Sequence, residues 1–170
     1  MQKFFNLSAG VLAIAAVAGC STSNSKTAVQ PGNTKAPVCK QATEAEIASL
    51  FDRWNTALQT GNPKAVVALY DEGSILLPTV SNKPRLTPAE KEDYFVHFMA
   101  DKPSGKIDQR HIQIDCNKAV DSGLYTFTYG KTGKKVQARY TYTYRWNGSE
   151  WKISSHHSSA MPEKPGAAAH

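Results

Sequence analysis

Two adjacent histidines, His156 and His157, lie in the C-terminal stretch WKISSHHSSAMPEKP. Imidazole titrates near neutral pH and also binds transition metals, so general-base and metal chemistry both come into question. Neighbouring side chains of a β-strand point to opposite faces, however, so the two rings cannot enter one site together. The chain also has neither an HExxH pattern nor the paired-cysteine spacing of zinc sites. We therefore expect no metal, and the inward histidine is either a general base or an ordinary residue of a sheet.

A strand rich in tyrosine is predicted directly before the histidines. Its apolar face carries Val136, Ala138, Tyr140, Tyr142, Tyr144 and Trp146. Asn147-Gly148 is typical of a tight hairpin turn, which would pair this strand with the histidine strand. If Tyr142 faces inward, His157 faces outward. The inward positions of the last strand are then Ser154, His156 and Ser158. The reverse parity would exchange the two histidines.

Three helices are predicted ahead of the long strands. Thr43 with Glu46, and Thr87 with Glu90, have the spacing of a capping box. Between these two helices, Asn62-Pro63 is typical of the start of a short one. The apolar stripes are Ile47, Leu50, Phe51, Trp54 and Leu58 in the first helix, and Tyr94, Phe95, Phe98 and Met99 in the third.

The order of these elements predicts the fold class. A short strand, SILLPT, separates the second helix from the third, and four longer strands follow the third helix. Helices that each bury one stripe are satisfied by packing on one face of a sheet. We therefore expect an α+β domain in which a curved antiparallel sheet wraps on three N-terminal helices.

The N-terminal stretch MQKFFNLSAGVLAIAAVAGC has a basic start and a short apolar run. These are the features of a secretory signal. Small residues just before Cys20 are similar to a bacterial lipobox, which predicts a signal peptide over 1–20 and lipidation of Cys20. The alternatives are ordinary secretion with Cys20 as a bystander, and a cytosolic protein with an apolar start. The resemblance to enterobacterial lipoprotein sorting implies that Ser21 would direct such a lipoprotein to the outer membrane, facing the periplasm.

The remaining boundaries follow from composition. Residues 21–38 are rich in Ser, Thr, Pro and Gly and read as a flexible linker, and residues 163–170 as a loose tail. One domain would then occupy residues 39–162, tethered to the membrane through the lipid. The formal net charge of +6 is spread along the chain without a basic cluster, so we expect no nucleic acid partner. No cofactor motif is present in the sequence.

Two further cysteines, Cys39 and Cys116, remain after Cys20. Cys39 precedes the first helix, and Cys116 falls in a predicted strand. Exported proteins meet an oxidising compartment, where such a pair forms a disulfide that would hold the start of the helix on the sheet. The alternative is two free thiols.

The segments LFDRWNTALQTGNPKAVVALYDEGSILLPT and WNGSEWKISSHHSSAMP, together with the tyrosine strand, resemble the NTF2-like superfamily. They are most similar to the association domain of calcium/calmodulin-dependent protein kinase II and its bacterial relatives, often labelled SgcJ/EcaC-type. The resemblance spans nearly all of residues 40–162. It implies a conical α+β barrel with an internal pocket, usually dimeric through the open face of the sheet. In the kinase, this domain is an assembly hub and not an enzyme.

The resemblance also implies a pocket, with one departure. The kinase hub lines its pocket with arginines and binds small carboxylates, whereas Tyr142 and Ser158 fall on two of those arginine positions here. We therefore expect an aromatic or mixed-polarity ligand. The candidate pocket residues are Trp54, Tyr94, Tyr140, Tyr142, His156 and Ser158, with Arg85 in the Pro-rich loop at the mouth.

Three functions are compatible with these observations. The first is a non-catalytic module that binds a small molecule or assembles as a homodimer. The second is a small isomerase or hydrolase that uses His156 with Tyr142 as catalytic residues. The third is a structural envelope lipoprotein whose pocket is filled by its own side chains. A sealed core would exclude the first two functions. An open cone in which His156 and a tyrosine hydroxyl converge within hydrogen-bond reach would favour the second.

Overall fold

The structure is a computed structural model that describes residues 38–163. The helices and strands are α1 (Glu44–Gln59), α2 (Pro63–Val67), β1 (Tyr70–Leu77), α3 (Pro88–Met99), β2 (Pro103–Asp115), β3 (Lys118–Tyr129), β4 (Lys135–Trp146) and β5 (Trp151–Ala160). The predicted signal peptide with Cys20, nearly all of the predicted linker and nearly all of the predicted tail lie outside the described residues. Within them, no helix combines the length and the apolar character needed to cross a membrane.

The five strands form one sheet in the order β1-β5-β4-β3-β2. The pairs β2–β3, β3–β4 and β4–β5 are antiparallel. The α+β prediction is confirmed, with one addition: β1 pairs with β5 in parallel at the edge of the sheet. A parallel pair requires a long crossover, and here α3 and β2 to β4 supply it.

Helix starts follow the predicted caps, with one difference. Thr87 and Glu90 form a complete capping box at α3. At α1, the Thr43 hydroxyl accepts from the Glu46 amide at 3.1 Å. The Glu46 carboxylate does not return to the cap. It accepts instead from the Trp151 indole at 3.1 Å and pairs with Lys40 at 3.3 Å. This carboxylate therefore ties the first turn of α1 to the start of β5.

The curvature of the sheet has a visible cause in β2 and β3. The pairing of the two strands shifts register between Ile107 and Gln109, which indicates a bulge. Gly123 pairs with Arg110, next to this bulge, and a Cβ atom there would meet the Gln109 carbonyl oxygen at 2.0 Å. Bulges combined with glycine allow a sheet to bend sharply. The bend turns the inward face of the sheet around α1.

The tyrosine-bearing face of β4 packs on α1, as the alternating pattern predicts. Tyr140, Tyr142 and Tyr144 are all buried. The Tyr142 ring centroid lies 6.2 Å from that of Phe51 and 5.8 Å from that of Trp54. The outward side chains of the same strand are exposed or half-buried. These ring contacts fix the position of the sheet on its helices.

The hairpin register confirms part of the predicted parity and corrects the rest. Tyr142 pairs with His156, which is buried, and His157 faces outward. Farther along the hairpin, Thr143 pairs with Ser155 while Tyr144 pairs with Ile153. The strand therefore has a bulge at Ser154, whose hydroxyl donates to the Thr143 carbonyl at 3.1 Å. The prediction that Ser154 faces inward is wrong, because the bulge shifts the parity and buries Ile153 instead.

The predicted disulfide between Cys39 and Cys116 is present, with 4.7 Å between the Cα atoms. Cys116 lies in the turn just after β2 and not within a strand, as the sequence had suggested. The next residue, Asn117, accepts from the Lys40 amide at 2.8 Å and donates to the Val38 carbonyl at 3.3 Å. The chain ahead of α1 is thereby fastened to the β2–β3 turn.

Removal of this disulfide is expected to lower the free energy of unfolding by about 4 to 5 kcal/mol. The bond spans a sequence separation of 77 residues, and the cost follows from the larger conformational entropy of the uncrosslinked unfolded chain. Denaturant titration of the Cys39→Ser/Cys116→Ser variant measures it, and the variant should no longer respond to reductant. Identical unfolding curves for the two proteins would contradict the prediction.

Candidate functional site

A small cavity lies between the helices and the inward face of the sheet. Its volume is about 30 Å³, room for roughly two water molecules. The lining is formed by Trp54, Leu76, Pro78, Thr79, Val80, Tyr94, Phe95, Phe98, Tyr125, Phe127, Tyr129, Val136, Ala138, His156 and Ser158. None of these lining residues, all within the described range, is a lysine, arginine, aspartate or glutamate. The inner cavity is therefore aromatic, with a few polar groups.

A wider mouth of about 690 Å³ adjoins the inner cavity. The two share the lining residues Thr79, Val80, Tyr94, Phe98, Tyr129 and Val136. The mouth also includes charged side chains, among them Arg85, Asp101 and Lys134. The two spaces together form a funnel that is charged at its rim and aromatic at its base.

The predicted pocket residues divide between these spaces and the core. Trp54, Tyr94, His156 and Ser158 line the inner cavity, and Arg85 lies at the mouth. Tyr140 and Tyr142 line neither space, because their rings pack against Phe51 of α1. Sequence reasoning missed the contribution of Tyr125, Phe127 and Tyr129, whose alternation along β3 was a usable signal.

A chain of buried hydrogen bonds sets the state of His156. The Trp54 indole N–H donates to the Tyr70 hydroxyl at 3.2 Å, and that hydroxyl lies 2.8 Å from His156 Nδ1. The Tyr70 oxygen accepts a hydrogen bond from Trp54, and His156 Nδ1 is the one acceptor within reach of the Tyr70 O–H among the described residues, so the Tyr70 proton is directed to Nδ1. A neutral imidazole carries one proton, which must then be on Nε2. Nε2 is buried and has no partner within residues 38–163.

The surroundings of His156 also keep the ring neutral. Its ring stacks on the ring of Tyr142 with the centroids 4.0 Å apart. The Trp54 and His156 rings form a T-shaped pair with the centroids 5.4 Å apart. Burial, together with a smaller contribution from the nearby His157, lowers the pKa of His156 to about 3. The Tyr142 hydroxyl has no hydrogen-bond partner among the described residues. The two candidate catalytic residues therefore meet by ring stacking and not through a hydrogen bond.

A second polar group lines the cavity beside the histidine. The Tyr125 hydroxyl donates to Ser158 Oγ at 2.5 Å, and Ser158 is also hydrogen-bonded to the Thr79 hydroxyl. Hydroxyl groups can exchange donor and acceptor roles, so this group adapts to what lies next to it. The Ser158–Thr79 hydrogen bond also connects β5 to the segment that follows β1 and borders the mouth.

Arg85 is held at the rim of the funnel. Its guanidinium group pairs with Asp93 at 2.6 Å and lies over the Tyr94 ring, 5.7 Å from the centroid. Its backbone exchanges two hydrogen bonds with Leu76, at 2.9 and 3.0 Å. Because its charge is already paired with Asp93, Arg85 brings less net positive charge to the mouth than an unpaired arginine would.

A buried carboxylate, Asp121 on β3, was not anticipated from the sequence. It accepts from the Tyr140 hydroxyl at 2.8 Å and from Arg110 Nε at 3.2 Å. Burial raises the pKa of the Asp121 carboxyl, and the hydrogen bonds from Tyr140 and Arg110 oppose that rise. It pairs with Tyr142 on the neighbouring strand, a register that the sequence alone did not provide. Asp121 lines neither the inner cavity nor the mouth, so it does not provide the site with a base.

The described part of the chain has no cluster of side chains suited to holding a metal ion. Within residues 38–163, no group of three or more His, Cys, Asp or Glu side chains is arranged to hold an ion. The ring of His156 contacts the rings of Trp54 and Tyr142 and the hydroxyl of Tyr70, and His157 faces away from the cavity.

A cone of three helices and a bent sheet with an aromatic inner cavity is the NTF2-like arrangement. The calcium/calmodulin dependent protein kinase II association domain family matches residues 43–162, and the chain belongs to that family. A structure described as such an association domain, from Xanthomonas campestris, is 48% identical with a TM-score of 0.68, over 75% of this chain and 97% of that one.

More distant structures share the fold alone. An NTF2-like protein of unknown function from Pseudomonas putida is 18% identical with a TM-score of 0.64, over 78% of this chain and 96% of that one. A structure described as a dehydratase of the NTF2-like family, from Streptomyces avermitilis, is 14% identical with a TM-score of 0.62, over 70% and 96%. No curated protein matches this chain significantly.

The neutral histidine predicts a pH dependence of stability. The pKa of His156 is about 3 in the folded protein and near 6.5 in an unfolded chain. Between these values only the unfolded chain binds the proton, so stability is complete above about pH 6.5 and falls as the pH approaches 3. The expected loss from this group is about 1.4 kcal/mol for each pH unit in that window.

Denaturant titrations between pH 7 and pH 4.5 measure this dependence. The matched control is Tyr70→Phe/His156→Phe, which removes the imidazole together with the hydroxyl that it pairs with. For each pH unit, the free energy of unfolding of the control should fall by about 1.4 kcal/mol less than that of the natural protein. Parallel pH profiles for the two proteins would show that His156 is not held neutral.

Proposed function

We propose that this chain is a non-catalytic binding module that holds a small molecule in its cone. The observation that carries the proposal is the inner cavity, lined by aromatic rings and a neutral histidine and open to a wide mouth. Ligand sites are typically concave and mostly apolar, with a few placed polar groups. The ligand would contact Trp54, Tyr94, His156 and Ser158, with Arg85 at the rim.

Binding is favoured over catalysis by the proton affinities of the groups that face the cavity. A general base works best with a pKa near the operating pH, whereas burial lowers the pKa of His156 to about 3. Burial also raises the pKa of the Tyr70 and Tyr125 hydroxyls, which makes them weak acids. The isomerase or hydrolase hypothesis therefore lacks an acid–base pair of suitable strength.

The proposed location is the bacterial cell envelope, with the domain anchored by a lipid on Cys20 and facing the periplasm from the outer membrane. The Cys39–Cys116 disulfide supports export, because disulfides persist in oxidising compartments. Lipid labelling of the expressed protein tests the anchor. Label that persists in the Cys20→Ser variant would rule it out.

We also propose a homodimer through the outer face of the sheet, where Thr141 and Thr143 are half-buried and flanked by Arg139 and Arg145. A lysine at position 141 would then place like charges across the interface. Light scattering at micromolar concentration should give a dimer for the natural protein and a monomer for Thr141→Lys. Thr56→Lys, on the exposed side of α1, should remain dimeric. A monomeric natural protein would refute this part of the proposal.

A blocking substitution tests the binding role. Its place is the neck, the constriction lined by the residues that the inner cavity and the mouth share. Val136 lines both the inner cavity and the mouth, and its neighbour Gln137 is exposed on the other face of β4. A panel of small fluorinated aromatic molecules, screened by ¹⁹F NMR, should give ligands of the natural protein. Val136→Trp should weaken their binding about tenfold or more, because the indole fills the neck.

Gln137→Trp provides the matched control, since it adds the same bulk to the opposite face of the strand. It should bind the same probes as the natural protein. If no probe binds, or if the two variants bind alike, the cone is not a ligand site and the filled-pocket function replaces the one proposed.

A further inference from the structure

A residue that lines the inner cavity carries a hydrogen-bond donor that the described residues leave unused. His156 Nε2 is buried without a partner among residues 38–163, and the proton of the neutral ring is assigned to it. A buried donor without an acceptor is unfavourable, so such groups are normally satisfied by water or by a ligand. Because His156 lines the cavity, an occupant of that space is the natural acceptor.

We propose, building on the binding function above, that the cone selects an uncharged ligand whose carbonyl oxygen accepts a hydrogen bond from His156 Nε2. The carbonyl end would enter the inner cavity, which has room for about two water-sized groups. The rest of the ligand would extend through the neck into the mouth.

The donor character of Nε2 is imposed by groups outside the cavity. Trp54 can only donate, so the Tyr70 oxygen accepts from it and the Tyr70 proton is directed to Nδ1. The opposite tautomer would leave the Tyr70 proton without an acceptor in a buried position. The ligand therefore meets a fixed donor, while the hydroxyl of Thr79, which is bonded to Ser158, adapts to it.

The charge distribution favours a neutral ligand over an anion or a cation. No lining residue of the inner cavity is a lysine or an arginine. At the mouth, Arg85 is paired with Asp93, and Lys134 is accompanied by Asp101. A carboxylate in the inner cavity would lose its hydration without an opposing charge beside it, which is costly. A cation would face the N–H of His156 without any carboxylate in the lining.

The neck favours a flat apolar body next to the carbonyl group. Tyr94 and Phe98 stack with centroids 5.6 Å apart. Phe98 also forms T-shaped pairs with Phe127 and Tyr129, with the ring centroids 5.5 Å and 6.3 Å apart. Three of these residues, Tyr94, Phe98 and Tyr129, line both the cavity and the mouth. Aromatic side chains arranged in this way match an aromatic or alicyclic ketone, amide or ester.

Three probes of nearly equal size separate the contributions of charge, acceptor and shape. 4-Fluoroacetophenone carries a neutral carbonyl group, 4-fluorobenzoate a carboxylate, and 4-fluoroethylbenzene no acceptor. ¹⁹F NMR titration of the purified full-length protein at pH 7.5 should show the ketone binding about tenfold more tightly than each of the other two. The ketone alone should shift the ¹H–¹⁵N signal of His156 Nε2.

A variant without the donor completes the test. His156→Phe keeps an aromatic ring at this position and leaves the Trp54–Tyr70 hydrogen bond in place, so it should bind the ketone and the ethylbenzene equally. Benzoate binding as tight as the ketone, or equal ketone and ethylbenzene binding by the natural protein, would overturn the ligand class and leave the binding function intact. Absence of binding by all three probes, together with failure of the fluorinated panel, would overturn both.

Discussion

A single buried histidine connects the main parts of this domain. His156 on β5 is bonded through Tyr70 at the start of β1 to Trp54 in the middle of α1, and its ring stacks on Tyr142 of β4. An imidazole in such apolar surroundings is stable only in its neutral form. The state of this ring therefore depends on the helix, the parallel edge strand and the hairpin being in place together. It also determines what the cavity offers to a ligand.

The same constraint supports the proposal that this cone binds a ligand without acid–base catalysis. The ring that reaches the cavity has a low pKa, and the buried carboxylate of Asp121 is engaged by Tyr140 and Arg110 away from the lining. What remains in the cavity is one fixed donor and a pair of adaptable hydroxyls within an aromatic wall. Such a set of groups can distinguish ligands by hydrogen bonding and shape, and it leaves charge recognition to the mouth.

Much of the fold could be predicted because it depends on local patterns. The alternation along β4, the Asn147-Gly148 turn and the caps of the helices all operate over a few residues, and the structure has them. Three features depend on distant contacts or on local irregularity and were not accessible: the parallel pairing of β1 with β5, the bulge at Ser154, and the burial of Asp121. Tyr70 illustrates the difficulty, since its partner is 86 positions away. The pocket was predicted on the wrong tyrosines for the same reason, because the bend of the sheet turns β3, and not the centre of β4, toward the open end.

The most direct test of this account is the protonation state of His156, read from its ¹⁵N chemical shifts in the natural protein. Between pH 8 and pH 4.5, the signals should remain those of a neutral ring with the proton on Nε2. Tyr70→Phe should alter the tautomer of His156 without charging the ring. A His156 signal that titrates near pH 6.5, or one that places the proton on Nδ1, would contradict the hydrogen-bond chain and the ligand chemistry inferred from it.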